Sequence, residues 1–308
     1  MRFSLTYPII SQTYDRGLLE QKNLIRFAQA AEEAGFDAIG FTDHPAPSEE
    51  WMATGGHDAL DPFAALSFCA AATERIRLMP NIVVLPYRNP LVVAKAVSTI
   101  DVLSGGRFTL STAPGYMEAE YEGLGVSFED RHSIFDESIE VMKGIWSQDD
   151  FRHEGKHFRA SGLTANPKPI QQPHPPIWIG GNSRQARRRV ARYAQGWNPF
   201  PASPRMAQRA KTLAVQTTEQ LSVLLDDLWL QLEAMGRDRS EIDVQFINRE
   251  GGLPANNDFN ADAHLNGLQQ LAELGITWTS VATPGDSVEQ AIETLERYGQ
   301  SVIAHFPR

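Results

Sequence analysis

A regular alternation of strand and helix is the feature that most limits the fold of this chain. Short β-rich runs alternate with segments of helical periodicity, and the pattern predicts eight strand–helix units within 308 residues. Helices that connect successive strands make those strands parallel, and eight such units close into a barrel. No Gly-x-Gly-x-x-Gly sequence follows the first strand, which disfavours an open dinucleotide-binding sheet. We therefore predict an α/β fold with a single domain, a (β/α)8 TIM barrel over residues 1–308.

Local signals place several of the helices. A helical pattern over Gln21–Ala34 ends before Gly35, and Asp61 followed by Pro62 marks the start of another helix. The periodicity over Pro90–Leu103 predicts a third helix.

One segment interrupts the alternation, at about residues 151–176. It is rich in proline and resembles a hairpin, and it is too short for a second domain. We predict an inserted loop over the barrel mouth. Together with the loop of residues 45–60 this insertion shapes the predicted pocket, where Trp51, His57 and Phe158 are expected.

Composition and charge exclude several classes of function. The formal net charge is −10, which disfavours binding to nucleic acid or to an anionic membrane surface. No apolar run approaches the roughly 20 residues of a membrane helix, no signal peptide precedes the first strand, and a single cysteine permits no internal disulfide. The histidines form no metal-binding cluster such as His-Glu-x-x-His. We expect a cytoplasmic protein without a metal that acts on a small molecule.

Polar residues stand at or near the ends of the second and third predicted strands, on the side of a barrel that carries active sites. Asp43 and His44 follow the second strand, and a carboxylate beside an imidazole can hold or move a proton near neutral pH. On position alone an equal alternative is that Asp43 caps a turn while His44 packs against the loop. In the third strand, predicted over residues 76–85, Pro80 and Asn81 indicate either a bulge or a simple bend.

The fourth strand ends in small residues that let a ligand approach the backbone, and they include Ala113 and Gly115 before Tyr116. Glu118 and Glu120 lie just beyond, either within reach of the mouth or in a solvated helical turn. For Glu118 the solvated turn is favoured, whereas for Glu120 both alternatives stay open.

The fifth strand ends in Gly180, Gly181, Asn182 and Ser183, and a helix begins at once. Ser183 is a natural N-cap, and the N–H groups of a helix start, exposed by glycines, attract anions. This is the strongest sign of a phosphate-bearing ligand, although an ordinary glycine-rich turn has the same sequence. Further along the helix, Arg187–Arg189 are expected to form a solvated face.

Taken in order, these segments resemble the luciferase-like monooxygenase superfamily. The matching stretches are residues 31–37 (AEEAGFD), 42–44 (TDH), 73–78 (TERIRL), 103–107 (LSGGR) and 169–183, which contains PHPPIWIGG. The likeness runs from the N-terminus to about residue 200, and the order and spacing of the stretches are specific. Within the superfamily the chain is most similar to the branch that uses coenzyme F420, for which the Asp-His pair after the second strand is typical.

The resemblance implies roles for the strand ends. It places His44 beside the deazaflavin ring and the substrate, and it gives Asp43 a contact with the cofactor. It also implies a non-proline cis peptide at Asn81–Ile82, forming a bulge that backs the ring. The loops Ala113–Tyr116 and Gly180–Ser183 are implied to hold the ribityl chain and the phosphate.

One position departs from the family pattern. F420-dependent sugar-phosphate dehydrogenases carry a glutamate directly after the glycine of the fourth-strand loop, where this chain has Tyr116. Glucose 6-phosphate is therefore disfavoured as a substrate, and Glu120 or Glu118 is the alternative source of a proton.

The resemblance predicts an oxidoreductase that moves a hydride between F420 and a small organic substrate, with His44 and Glu120 as catalytic residues. The alternative within the same fold is a monooxygenase that uses reduced FMN and oxygen. A third alternative, from a different class of function, is a barrel that binds a cofactor without turnover, which an intact His44 disfavours. Homodimers are common in the family, so the resemblance also favours a homodimer.

Overall fold

The strands form a closed parallel barrel. The computed structural model describes residues 1–256 and 258–306. Its strands are β1 (Arg2–Thr6), β2 (Ala38–Gly40), β3 (Arg77–Leu78), β4 (Val83–Val84), β5 (Leu110–Ala113), β6 (Phe151–Glu154), β7 (Arg159–Leu163), β8 (Ile177–Gly180), β9 (Gly196–Asn198), β10 (Asp243–Val244) and β11 (Trp278–Val281). Two parallel sheets run in the orders β11-β1-β2-β3 and β10-β9-β8-β5-β4. Single bridges from Leu78 to Phe108 and from Gln245 to Trp278 join the sheets and close the ring. Because β3 and β4 share one position, the ring has eight positions, and the predicted TIM barrel is confirmed.

Helices surround this barrel. They are α1 (Gln21–Ala34), α2 (Glu49–Ala53), α3 (Pro62–Ala72), α4 (Pro90–Leu103), α5 (Glu118–Gly123), α6 (Arg131–Ser147), α7 (Arg184–Tyr193), α8 (Pro204–Arg209), α9 (Thr218–Ala234), α10 (Ala261–Glu273) and α11 (Val288–Ser301). Asp61 caps α3 by accepting hydrogen bonds from the N–H groups of Phe63 and Ala64, with Pro62 at the first helical position. Gly35, with φ of 96°, ends α1 in the left-handed conformation. Among the helices of the described ranges, none has both the length and the apolar character of a membrane span.

The third strand, predicted over residues 76–85 with an irregularity at Pro80 and Asn81, is divided into β3 and β4. β3 pairs with β2, β4 pairs with β5, and the cis peptide Asn81–Ile82 lies between them. The ladder is therefore interrupted at the bulge, and Pro80, which has no N–H, fits this interruption. The predicted cis peptide is confirmed, and the predicted irregularity lies at Pro80 and Asn81, between β3 and β4.

The insertion forms the predicted hairpin, β6–β7, but at a different place. The hairpin lies along α6, and its tip reaches the start of that helix, where Nζ of Lys156 lies 2.6 Å from Oδ1 of Asp130. The hairpin packs on the outside of α6, where Glu137 accepts hydrogen bonds from the N–H groups of His157 at 3.0 Å and Phe158 at 2.7 Å. None of residues 151–176, all of which are described, lines the cavity at the mouth. The predicted position of this insertion over the mouth, with Phe158 in the pocket, is therefore corrected.

A compact apolar layer fills the barrel below its mouth. It consists of Ala38, Met79, Trp178 and Trp278, and the two indole rings pack edge to face with centroids 5.4 Å apart. Because interiors pack densely, this layer gives the site above it a rigid base.

Candidate active site

A cavity of about 340 Å³ opens at the C-terminal ends of the barrel strands. A cavity of this size suits a small organic molecule or a cofactor ring. The predicted site residues that line it are Asp43, His44, Asn81, Ile82, Ala113, Gly115, Tyr116, Gly180, Gly181 and Ser183. Two further predicted residues, Glu120 and Asn182, lie behind its wall. The barrel thus brings His44 and Gly181, from different strands, into one cavity.

His44 and Glu120 form a pair at the cavity wall. The Nδ1 atom of His44 lies 3.4 Å from Oε2 of Glu120. The buried carboxylate of Glu120 also accepts hydrogen bonds from the Tyr87 hydroxyl at 2.8 Å and from the N–H of Ala46 at 3.2 Å. Burial and the adjacent carboxylate raise the pKa of the Tyr87 phenol, so that it remains a donor.

This pair defines what His44 can do. A carboxylate at Nδ1 favours the tautomer with hydrogen on that nitrogen, which leaves a lone pair on Nε2 of a residue that lines the cavity. The His44 side chain is 12% exposed, whereas that of Glu120 is 0% exposed. Glu120 therefore acts through His44 in this geometry, and its donation of a proton to substrate stays a prediction.

Aromatic rings pack against His44 from the loop of residues 45–60. The ring centroid of Trp51 lies 4.5 Å from that of His44, and the centroid of His57 lies 5.3 Å from it. Burial lowers the pKa of His57, and repulsion from His44 lowers it further. Trp51 also interacts with the side chain of Tyr116, which lines the cavity. The loop thus positions two cavity residues.

Asp43 is held in a buried ion pair. Its Oδ2 atom lies 2.6 Å from Nη1 of Arg88 and its Oδ1 atom 2.8 Å from Nη2. Oδ2 also accepts a hydrogen bond from the N–H of Val84 at 2.9 Å. Both carboxylate oxygens are thus engaged, and they fix β4 beside the bulge. The contact of Asp43 with a cofactor stays a prediction.

The glycine-rich loop before α7 is held from three sides. Gly181 donates its N–H to the carbonyl of Asn198 at 3.1 Å, and Asn182 donates its N–H to Oγ1 of Thr212 at 2.9 Å. The buried side chain of Asn182 binds the backbone of the loop that follows β9. Asn182 therefore shapes the loop from behind the wall, while the helix start at Ser183 faces the cavity.

Ser183 is the predicted N-cap of α7. Its hydroxyl accepts a hydrogen bond from the N–H of Ala186 at 3.1 Å. The N–H groups of Ser183 and Arg184 have no partner within residues 1–256 and 258–306. Such groups at a helix start, beside a cavity, are available to an anion.

A second helix start lies at the same end of the cavity. Arg131 and His132, the first residues of α6, line it together with Ser183. The Arg131 guanidinium stacks on the ring of Phe128 at 4.0 Å and forms no ion pair with a carboxylate of the described residues. Burial and two neighbouring guanidinium groups lower the pKa of His132 to about 4, and its Nδ1 atom has no described partner. Two helix starts, a free cation and a neutral imidazole together suit a phosphate.

The arginines of α7 do not form the predicted solvated face. Arg187 and Arg189 are 4% and 5% exposed, and they pair with Asp227 at 2.6 Å and Asp136 at 2.7 Å. Buried arginines are tolerated when they are paired, and these partners lie in neighbouring helices that the local sequence cannot reveal. The prediction is therefore wrong for both residues.

Sequence comparison places this site in a known family. Residues 1–221 match the profile of the luciferase-like monooxygenase family. The chain belongs to this family. The predicted resemblance and the predicted enzyme class, an oxidoreductase, are thereby confirmed.

Individual relatives of this luciferase-like protein use different cofactors. The FMNH2-dependent dimethylsulfone monooxygenase of Pseudomonas putida is 34% identical over 175 residues, which are 54% of this chain and 45% of that protein, so the chain spans less than half of its length. The monooxygenase RslO1 of Streptomyces bottropensis has a TM-score of 0.80 at 20% identity, with 100% of both chains covered. The F420-dependent tetrahydromethanopterin reductase of Methanopyrus kandleri has a TM-score of 0.75 at 18% identity, with 99% of both chains covered. At these identities the structural likeness shows the fold.

Sequence reasoning missed several cavity residues of this luciferase-like barrel. They include Arg131 and His132 at the start of α6, and Asn198 and Gln245 at the ends of two strands. Arg131 and His132 stand where the fourth barrel helix starts, a position that faces the mouth in any such barrel. For Asn198 and Gln245 the signal in the sequence is an amide residue within a short predicted strand.

Proposed function

We propose that this luciferase-like enzyme is an F420-dependent oxidoreductase, in which a hydride passes between coenzyme F420 and a small organic substrate. The observation that carries the proposal is the His44–Glu120 pair, whose free imidazole nitrogen shares a cavity with an anion-binding helix start. Hydride transfer to or from oxygen-bearing carbon requires a proton carrier, and His44 is placed for that role.

The residues of the cavity fit such a cofactor. The N–H groups at Ser183 and the guanidinium of Arg131 would hold a phosphate. Gly180 lies beside Ile82 of the bulge, where an added Cβ atom would be 3.4 Å from the Ile82 side chain, and both residues line the cavity in which the ring would bind. A Cβ atom on Gly115 would lie 2.5 Å from the side chain of Val84, so this loop depends on its glycine.

The chain's own residues supply the proton step. When bound, F420 would supply the carbon centre that takes up or releases the hydride. In the oxidation of an alcohol, the hydroxyl proton leaves as the carbon-bound hydrogen departs with its electron pair. Nε2 of His44 accepts that proton, and Glu120 stabilises the resulting imidazolium at Nδ1. In the reverse direction the imidazolium returns the proton to the carbonyl oxygen.

A monooxygenase that uses reduced FMN is the second candidate. It is supported by the similarity to the FMNH2-dependent dimethylsulfone monooxygenase of Pseudomonas putida. The helix starts at Arg131 and Ser183 fit a phosphate monoester as well as a diester. The His44–Glu120 pair favours F420, because it provides the proton carrier that a hydride transfer needs.

Titration with both cofactors tests the proposal. Purified protein is titrated with F420 and, separately, with oxidised and reduced FMN, and binding is followed by fluorescence. Turnover is then measured with alcohols and carbonyl compounds. We expect F420 to bind and to change redox state with substrate. Binding of FMN alone, with oxygen consumption, supports the second candidate, and binding without any redox change supports a non-catalytic barrel; either result refutes the proposal.

A variant of His44 tests the assigned role. His44→Ala is expected to lower kcat by about 10²–10⁴-fold with the affinity for F420 retained, because general acid–base catalysis contributes a factor of this size. His305→Ala is the matched control, since His305 is exposed and distant in sequence from every cavity residue. Equal turnover of the His44 variant and the control removes His44 from the mechanism.

A further inference from the structure

Three neutral amide side chains form a row inside the barrel. Nδ2 of Asn198 lies 3.1 Å from Oδ1 of Asn81, and Nε2 of Gln245 lies 3.1 Å from Oδ1 of Asn198. The hydroxyl of Ser4 lies 2.6 Å from Oε1 of Gln245 and ends the row on one side; Oγ1 of Thr6 lies 2.8 Å from Nδ2 of Asn81 and ends it on the other. All three amides line the cavity. We call Asn81, Asn198 and Gln245 the amide row.

We infer that the amide row recognises the pyrimidinedione edge of a deazaflavin or flavin ring, an inference that rests on the proposed function. Along this edge two C=O acceptors flank one N–H donor. A surface that pairs with it must offer both donors and acceptors, closely spaced.

The hydrogen-bonding capacity of the amide row meets this requirement. A primary amide has two N–H donors and an oxygen with two lone pairs. Within the row each amide donates one hydrogen bond and accepts one. Each therefore keeps one N–H and one lone pair for a ligand. The nitrogen and oxygen of an amide can be interchanged in a structure, and interchanging them in all three residues reverses every hydrogen bond of the row. Each amide still keeps one N–H and one lone pair, because the hydroxyls of Ser4 and Thr6 can either donate or accept.

The row is joined to the anion-binding end of the cavity. Asn198, its central member, accepts the N–H of Gly181 through its backbone carbonyl at 3.1 Å. Asn81 is part of the cis peptide bulge. One ligand that bears both a ring and a phosphate can therefore contact the row and the helix start together.

Ring recognition is separated from phosphate recognition by the choice of probe. The phosphate-free riboside of the deazaflavin has the same ring as F420 but no phosphate. We expect Gln245→Leu and Gln245→Glu each to weaken binding of the riboside about tenfold, which is the effect of one lost hydrogen bond. Because the ring is the same in both ligands, each variant should weaken binding of F420 by the same factor as binding of the riboside. Arg131→Gln is expected to weaken binding of F420 but not of the riboside. Gln269→Leu is the matched control, because Gln269 is exposed on α10.

A measurement on the unaltered protein removes any dependence on how a variant folds. Riboflavin is compared with riboflavin methylated at the ring N–H of the pyrimidinedione. The methyl group is expected to weaken binding at least about tenfold, because it replaces the donor of the edge. The inference is overturned if the two riboflavin compounds bind equally. It is also overturned if both Gln245 variants bind the riboside within about twofold of wild type. Neither result affects the proposed function. If the wild-type protein binds neither F420, nor the riboside, nor riboflavin, both the inference and the proposed function are overturned.

Discussion

Replacing Glu120 with Gln tests how the buried pair works. The substitution keeps the size of the side chain and the oxygen that accepts the N–H of Ala46. It puts an NH2 group where Oε2 lies, facing the hydroxyl of Tyr87 and Nδ1 of His44. The Tyr87 hydroxyl can accept a hydrogen bond from that NH2 group. His44 can do so only by moving its own hydrogen to Nε2, which removes the lone pair on that nitrogen.

The distances set the size of the effect. In serine proteases, the catalytic histidine is hydrogen-bonded to an aspartate. Replacing that aspartate with asparagine produces the wrong imidazole tautomer and lowers kcat about 10⁴-fold. Here the two atoms are 3.4 Å apart, longer than an ordinary hydrogen bond, so the constraint is weaker. We expect kcat to fall about 10²-fold, which corresponds to about 2.7 kcal/mol of activation free energy. The free energy of unfolding should fall by only about 1 kcal/mol, because the bond to Tyr87 can re-form with its direction reversed.

Steady-state kinetics measure kcat, and urea unfolding measures the free energy of unfolding. Titration with F420 tests whether the cofactor still binds. Glu122→Gln is the matched control, since Glu122 lies on the same helix and is exposed. The control should change kcat by less than about twofold. If Glu120→Gln has the kcat of the control, Glu120 does not orient His44. If instead F420 binding is lost, Glu120 serves the cofactor and the reasoning is also refuted.

Three further perturbations have defined outcomes. Asp43→Asn leaves the Arg88 guanidinium partly buried without this carboxylate, and urea unfolding should show a loss of about 3 kcal/mol, whereas a loss below about 1 kcal/mol would mean that solvent replaces the pair. Gly115→Ala should lower the melting temperature and weaken F420 binding, because φ is +74° and the new Cβ atom would lie 2.5 Å from Val84; an unchanged melting temperature contradicts this. His132 has its folded-state pKa lowered from 6.5 to about 4, so its contribution to stability is complete above pH 6.5 and is lost as the pH falls toward 4. Between pH 6.5 and pH 4, the free energy of unfolding of His132→Gln should therefore fall by about 1–2 kcal/mol less than that of wild type, after allowance for the partial exposure of His132. Parallel pH profiles of the two proteins would refute the lowered pKa of His132.

The sequence by itself determined the elements and their order. The predicted bounds of α1 and α4, Gln21–Ala34 and Pro90–Leu103, agree with the structure. The N-cap at Ser183 also agrees. These features depend on residues within a few positions of one another, so local composition is sufficient to predict them. The strand–helix alternation likewise determined the barrel, because parallel crossovers leave few other arrangements.

Tertiary structure decided which of these residues act together. His44 and Glu120 are 76 positions apart in the chain, and only the packing of α5 against the loop after β2 makes them neighbours. The amide row takes Asn81, Asn198 and Gln245 from three different strand positions, and the register of the closed barrel turns all three inward. The predicted place of the insertion failed for the same reason, since its position depends on how the hairpin packs against α6. Contacts between distant segments are set by how complete elements pack, and no local pattern of residues encodes that packing.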